Sequence, residues 1–82
     1  MMNDADPIVQ RMHAAITAAL PDALVEVGKN SPGHFQIKVV SAEFAGKTRM
    51  RQQQLVLAAI ADLMKGDGAP VHAIDRLETV GT

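Results

Sequence analysis

The sequence predicts a two-layer α+β domain of order αββαβ, with two helices on one face of a three-stranded mixed sheet. Three observations carry this reading. Apolar residues recur at three-and-four spacing over residues 7–20 and again over residues 53–64, as on two amphipathic helices. Phe35, Ile37 and Val39 alternate with Gln36 and Lys38, which marks a half-buried strand. The second helical stretch lies between that strand and a last apolar segment, and a strand–helix–strand crossover makes its two strands parallel. The 82 residues are read as one domain spanning 1–82, with residues 1–5 expected to be disordered.

The elements follow in order. The first helix is predicted from Pro7 to Leu20, with Asp6 as N-cap. Pro7 suits the first helical position, where its missing N–H costs nothing. The apolar stripe is Ile8, Met12, Ala15, Ile16 and Ala19, and Pro21 stops the helix. Leu24-Val25-Glu26-Val27 reads as the first strand, and Gly28–Gly33 as a six-residue loop closing a hairpin. After the second strand, Ala45-Gly46-Lys47 turns the chain and Thr48 caps a long helix that runs to about Lys65. Its core stripe is Val56, Leu57, Ile60, Leu63 and Met64, with Ala59 allowing close packing. Extended one turn back, the stripe meets Gln53, so it is expected to leave the core there and enter a partly exposed cleft. Gly66 suits a helix C-terminus because it tolerates positive φ. The third strand is predicted to begin at Val71.

Composition excludes several function classes. There is no cysteine, so there is no disulfide scaffold, no thiol nucleophile and no self-contained cysteine-ligated metal site. No apolar run approaches a membrane span of about 18 residues. The acidic start, Met-Met-Asn-Asp-Ala-Asp, is unlike the basic start of a signal peptide, and a cytoplasmic location is expected. Net charge is −1 but unevenly spread: −3 over residues 1–28, +4 over 29–51 and −2 over 52–82. No Ser-His-acid order, paired-carboxylate motif, phosphate loop or dinucleotide fingerprint is present, so an enzyme is not expected.

The residues with most chemical interest are His72, inside Val71-His72-Ala73-Ile74, and His34, inside Gly33-His34-Phe35-Gln36-Ile37-Lys38-Val39-Val40-Ser41. An imidazole nitrogen suits iron, zinc or copper, although a strand histidine also serves simply as a hydrogen-bonding residue. His34 neighbours the buried Phe35, so alternation turns it to the other side of the sheet. His13 is read as a surface or boundary histidine. Asp75 is near His72 in sequence but three places along a strand, hence expected on the opposite face.

The HF-plus-apolar strand ending in Ser41, the Phe44-Ala45-Gly46 turn and the Val-His-Ala-Ile segment together resemble the BolA family, over roughly residues 5–79. The Arg51-Gln52-Gln53-Gln54 run is closer to the IbaG (YrbA-type) branch than to BolA itself, which has Arg-His-Arg there. The resemblance implies a KH-like type II fold. It implies that His72 is an iron ligand in a two-iron, two-sulfur cluster shared with a monothiol glutaredoxin, whose cysteine and bound glutathione supply thiolates. Some relatives carry a second ligand, a cysteine, in the hairpin loop; Ser31 stands there and His34 is the nearby substitute. No cluster is expected in the isolated chain, and alone it is expected to be a monomer or weak homodimer. Relatives often continue into a final short helix; this chain runs Asp75 to Thr82, so contacts made by such a helix are expected to be missing.

A second reading implied by the same resemblance is a DNA-binding transcriptional regulator in stress response, and a third is a stress-response interaction module without metal. Lys47, Arg49, Arg51 and Gln53 are the candidate nucleic-acid or partner contacts. RNA-binding KH domains clamp the backbone with a Gly-x-x-Gly loop, and no pair of the six glycines has that spacing. Nucleic-acid binding is therefore expected to be weak and salt-sensitive.

Overall fold

In the computed structural model, residues 6–82 are described, so the expectation for residues 1–5 falls outside them. Helix α1 spans Pro7–Ala19, and the Asp6 carboxylate accepts the N–H groups of Ile8 and Val9 at 2.8 and 3.2 Å. This satisfies two of the donors that every helix N-terminus leaves free. The helix buries Val9, Met12 and Ile16, while Ile8 and Ala15 are half-buried and Ala19 is exposed. The predicted stripe is thus rotated towards Val9, whose side chain offers more apolar surface than that of Ala19.

Strands β1 (Leu24–Ser31) and β2 (His34–Ser41) pair antiparallel, from Leu24 opposite Val40 to Ser31 opposite His34. The expected six-residue loop is absent. Both strands run on to a two-residue Pro32-Gly33 turn, with the register shifting between Lys29 and Ser31. Proline followed by glycine at φ +80° is the residue order of a type II turn. The shift skips Asn30, so Lys29 and Ser31 stay paired with β2 in a polar stretch that composition alone reads as loop.

Ser41 caps a three-residue 3-10 turn, Ala42–Phe44, that buries Phe44 completely. Helix α2 then spans Arg49–Ala59 with the Thr48 hydroxyl accepting Arg51 N–H at 3.1 Å. The predicted single helix to Lys65 is broken at Ile60 (φ −108°, ψ 12°), and a short α3, Ala61–Met64, follows. Ile60 and Leu63 stay in the core on either side of the break, in line with Val56, whereas Leu57, assigned to the core stripe, lies about 100° round the helix from Val56 and is 38% exposed. Lys65 is already extended, so Gly66, at φ +79°, belongs to the following turn rather than the helix end.

Strand β3 spans Ala73–Gly81, beginning two residues later than predicted, and pairs parallel with β2. Val71 and His72 lie outside the ladder because their amides bond elsewhere: Val71 N–H to Leu63 O at 3.1 Å, His72 N–H to Gly33 O at 2.8 Å. The sheet order is β1-β2-β3. Met12, Ile16, Phe35, Val39, Phe44, Val56 and Ile60 fill the core between sheet and helices. Both predicted helices pack on this face, as expected, and residues such as Gln36 and Lys38 line the open one.

Candidate functional site

Parallel pairing of β2 and β3 puts the starts of both strands at one end of the sheet, so the Pro32-Gly33 turn, His34 and His72 meet there. The Gly33 carbonyl accepts two consecutive amides, His72 N–H at 2.8 Å and Ala73 N–H at 3.0 Å. Next to them, Val71 is buried to 1% exposure. His72 itself is exposed, so a well-anchored main chain presents a solvent-facing imidazole. The direction that sequence reasoning assigned to a strand comes instead from these two backbone anchors.

His34 is differently placed. Its Nδ1 lies 3.1 Å from Asp75 Oδ1, and Asn30 Nδ2 donates to Asp75 Oδ2 at 3.1 Å. The imidazole is 45% exposed and sits beside Ala73 in the β2–β3 register. Hydrogen bonding from His34, then from Asn30, holds the Asp75 carboxyl below its ordinary value, against the opposing pull of desolvation. Sequence reasoning missed this cluster. The register shifts after the Phe35–Ile74 pair, so that Gln36 pairs with Arg76, and Asp75 is left over where simple alternation fails.

Among the described residues, no three His, Cys, Asp or Glu side chains come together as a metal site. With no cysteine in the chain, the donor set does not fit an iron–sulfur cluster held by this protein alone. It fits one exposed imidazole offered to a cluster whose other ligands come from elsewhere. His13, at the surface of α1, faces Thr17 Oγ1 at 3.5 Å.

The other candidate residues gather around α2. Lys47, Arg49 and Arg51 are exposed near its N-terminus, and Lys47 Nζ donates to Glu43 O at 2.6 Å. Gln53 is half-buried, and its amide donates to Leu77 O at 3.4 Å beside a concavity of about 650 Å³ that Arg49 and Arg76 also line. The partly exposed cleft expected at Gln53 is therefore present. Gln52 is more tightly held: its amide donates to Phe44 O and Lys47 O, and it accepts the Thr79 hydroxyl at 2.7 Å. Gly81 packs on Phe44 and Ala45 at the far end of β3 from His72. Eight steps of about 3.3 Å separate the ends of that strand, or roughly 26 Å. The structure thus splits the predicted site residues into two groups: His72 with His34 at one end, and the basic residues at the other.

A family model described as BolA-like protein matches residues 10–80. No match was found among curated proteins. Among solved structures, the chain is similar to a Bol-like protein from Babesia bovis, at 26% identity and TM-score 0.71, covering 93% of this chain and 88% of that one. It is similar to the BolA1 protein of Mus musculus at 28% identity and TM-score 0.68, covering 92% and 67%. A BolA protein homologue from Coxiella burnetii is 25% identical with TM-score 0.70, covering 88% and 87%.

Proposed function

Because the chain belongs to the BolA-like family, we propose that it is a cytoplasmic, non-enzymatic adaptor that joins a monothiol glutaredoxin in binding, transferring or sensing an iron–sulfur cluster. The observation that carries this reading is His72, an exposed imidazole on a main chain pinned at Leu63 and Gly33, in a chain without cysteine. A two-iron cluster takes four protein or thiol ligands. Here the partner's cysteine and glutathione supply thiolates and His72 supplies nitrogen. His34 is the candidate for a second nitrogen, although its Nδ1 is engaged with Asp75. A neutral imidazole in place of thiolate removes negative charge from the irons, which raises the potential in comparable sites. It also makes the site acid-labile, because the ligand must stay deprotonated.

The test is co-expression with a monothiol glutaredoxin. A brown heterodimer is expected, with a visible spectrum that changes, and a cluster that leaves faster, in His72→Ala. His34→Ala should do less and His13→Ala nothing. An unchanged spectrum and loss rate in folded His72→Ala would remove His72 as ligand. The second reading, a DNA-binding regulator, draws on the exposed Lys47, Arg49 and Arg51; tight duplex binding without any glutaredoxin complex would favour it.

A further inference from the structure

His72 is exposed, yet its ring lies against Gly33. A Cβ placed on Gly33 would lie 2.7 Å from His72 Nδ1, 2.8 Å from Cγ and 3.3 Å from Cβ. The ring therefore occupies the space that any side chain at position 33 would need. The ring atoms nearest that position are Nδ1 and Cγ, so Nδ1 is the nitrogen on the Gly33 side and Nε2 lies farther from it. The main chain is held to the same residue, since the Gly33 carbonyl accepts the amides of both His72 and Ala73. Gly33 also has φ +80°, a conformation that strains other residues. Turn geometry and ring seating thus call for glycine for two separate reasons.

We infer that Gly33 is the positioning residue for His72, and that the seated imidazole offers Nε2, not Nδ1, to a metal carried by a partner. This rests on the proposed role of His72 as a ligand and adds which nitrogen performs it. The logic is that of outer-shell residues in metal sites, where a neighbour fixes ring orientation before the metal arrives. Here the neighbour is a bare α-carbon and a carbonyl rather than a carboxylate.

The test reads ring orientation on the isolated chain and needs no cluster. Bromoacetate alkylates either imidazole nitrogen, and peptide mapping separates the two carboxymethyl isomers at His72. In the folded chain the Nδ1 share at His72 should be at least tenfold below that in the same chain unfolded in urea. Equal isomer ratios in the two states would overturn the seating. In folded Gly33→Ala the Nδ1 share should rise towards the unfolded value; no rise would equally count against it. A double-mutant cycle covers the case in which Gly33→Ala folds poorly. Gly33→Ala should lower the folded-to-unfolded ratio at least fivefold more beside His72 than in the His72→Ala background. Equal losses in both backgrounds would mean that only backbone strain is at work and that no ring is seated there. The spectrum of the glutaredoxin complex tests whether His72 binds metal at all, so the two ideas fail separately.

Discussion

Asp22 takes the N–H of Ala42 at 2.8 Å and the hydroxyl of Ser41 at 2.9 and 3.2 Å, tying the α1–β1 turn to the end of β2. Ser41 is 1% exposed, so its hydroxyl needs a partner of this kind. The Ala42 amide, then the Ser41 hydroxyl, hold the Asp22 carboxyl below the ordinary aspartate value of 3.8. Asp6 and Asp75 are lowered too, chiefly by hydrogen bonds from Lys29 and His34 respectively. A carboxylate with a depressed folded pKa contributes stability that is fully present above its unfolded value. That stability is lost as pH falls through the folded value. The urea midpoint should therefore drop as pH falls from about 5 to about 2, mostly below the ordinary aspartate range. Asp22→Asn should be less stable at neutral pH but show a shallower acid loss, and parallel curves for the two proteins would contradict the assignment. At this scale the sequence speaks through residue type. His72 and His34 are recognisable as candidates, but the partnership of His34 with Asp75 depends on a register shift that no local pattern announces.

Helix starts are the best-written elements of the chain. Asp6 and Thr48 are recognisable caps before helical stripes, and both hydroxyl and carboxylate do accept the expected amides. Removing the Thr48 cap should cost about 1 kcal/mol. Thr48→Ala should thus lower the urea midpoint with an unchanged denaturant slope. A midpoint matching the parent would show that water replaces the Thr48 hydroxyl on Arg51 N–H at no cost. Helix ends and strand ends are less legible. The break at Ile60 leaves Ile60 and Leu63 at the helical spacing that buries both, so apolar periodicity does not announce it. The extension of β1 through Lys29, Asn30 and Ser31 runs against their weak strand preference. It is held by pairing with β2 and, at Lys29, by an ion pair with Asp6 at 3.1 Å. Overall order and strand pairing were readable because alternation, crossover length and two stripes agree with one another.

For the whole molecule, the consequence is that chemistry and charge are kept apart. The positively charged stretch of residues 29–51 does not form one patch. Lys29 pairs with Asp6, and Lys38 stands between Glu26 and Glu78 across the open face of the sheet. What remains is Lys47, Arg49 and Arg51 near the start of α2, at the far end of β3 from His72. That basic end is a separate surface from the His72 end, and its footprint on nucleic acid should be small. Three cations releasing counterions from duplex DNA give a slope of log affinity against log salt of about −2.7, at roughly −0.9 per phosphate contact. Binding at about 150 mM salt should stay in the weak range of non-specific complexes, with Kd of roughly 1–100 µM. Arg49→Glu with Arg51→Glu should abolish it and leave glutaredoxin complex formation unchanged, since those residues lie away from His72. The measurement is a fluorescence titration of duplex DNA across a salt series, with parent and variant side by side. A slope near −6 with sub-micromolar affinity at physiological salt would mean a much larger basic footprint than this surface offers. In that case a second copy of the chain must contribute to the binding face, and the regulator reading would gain over the adaptor.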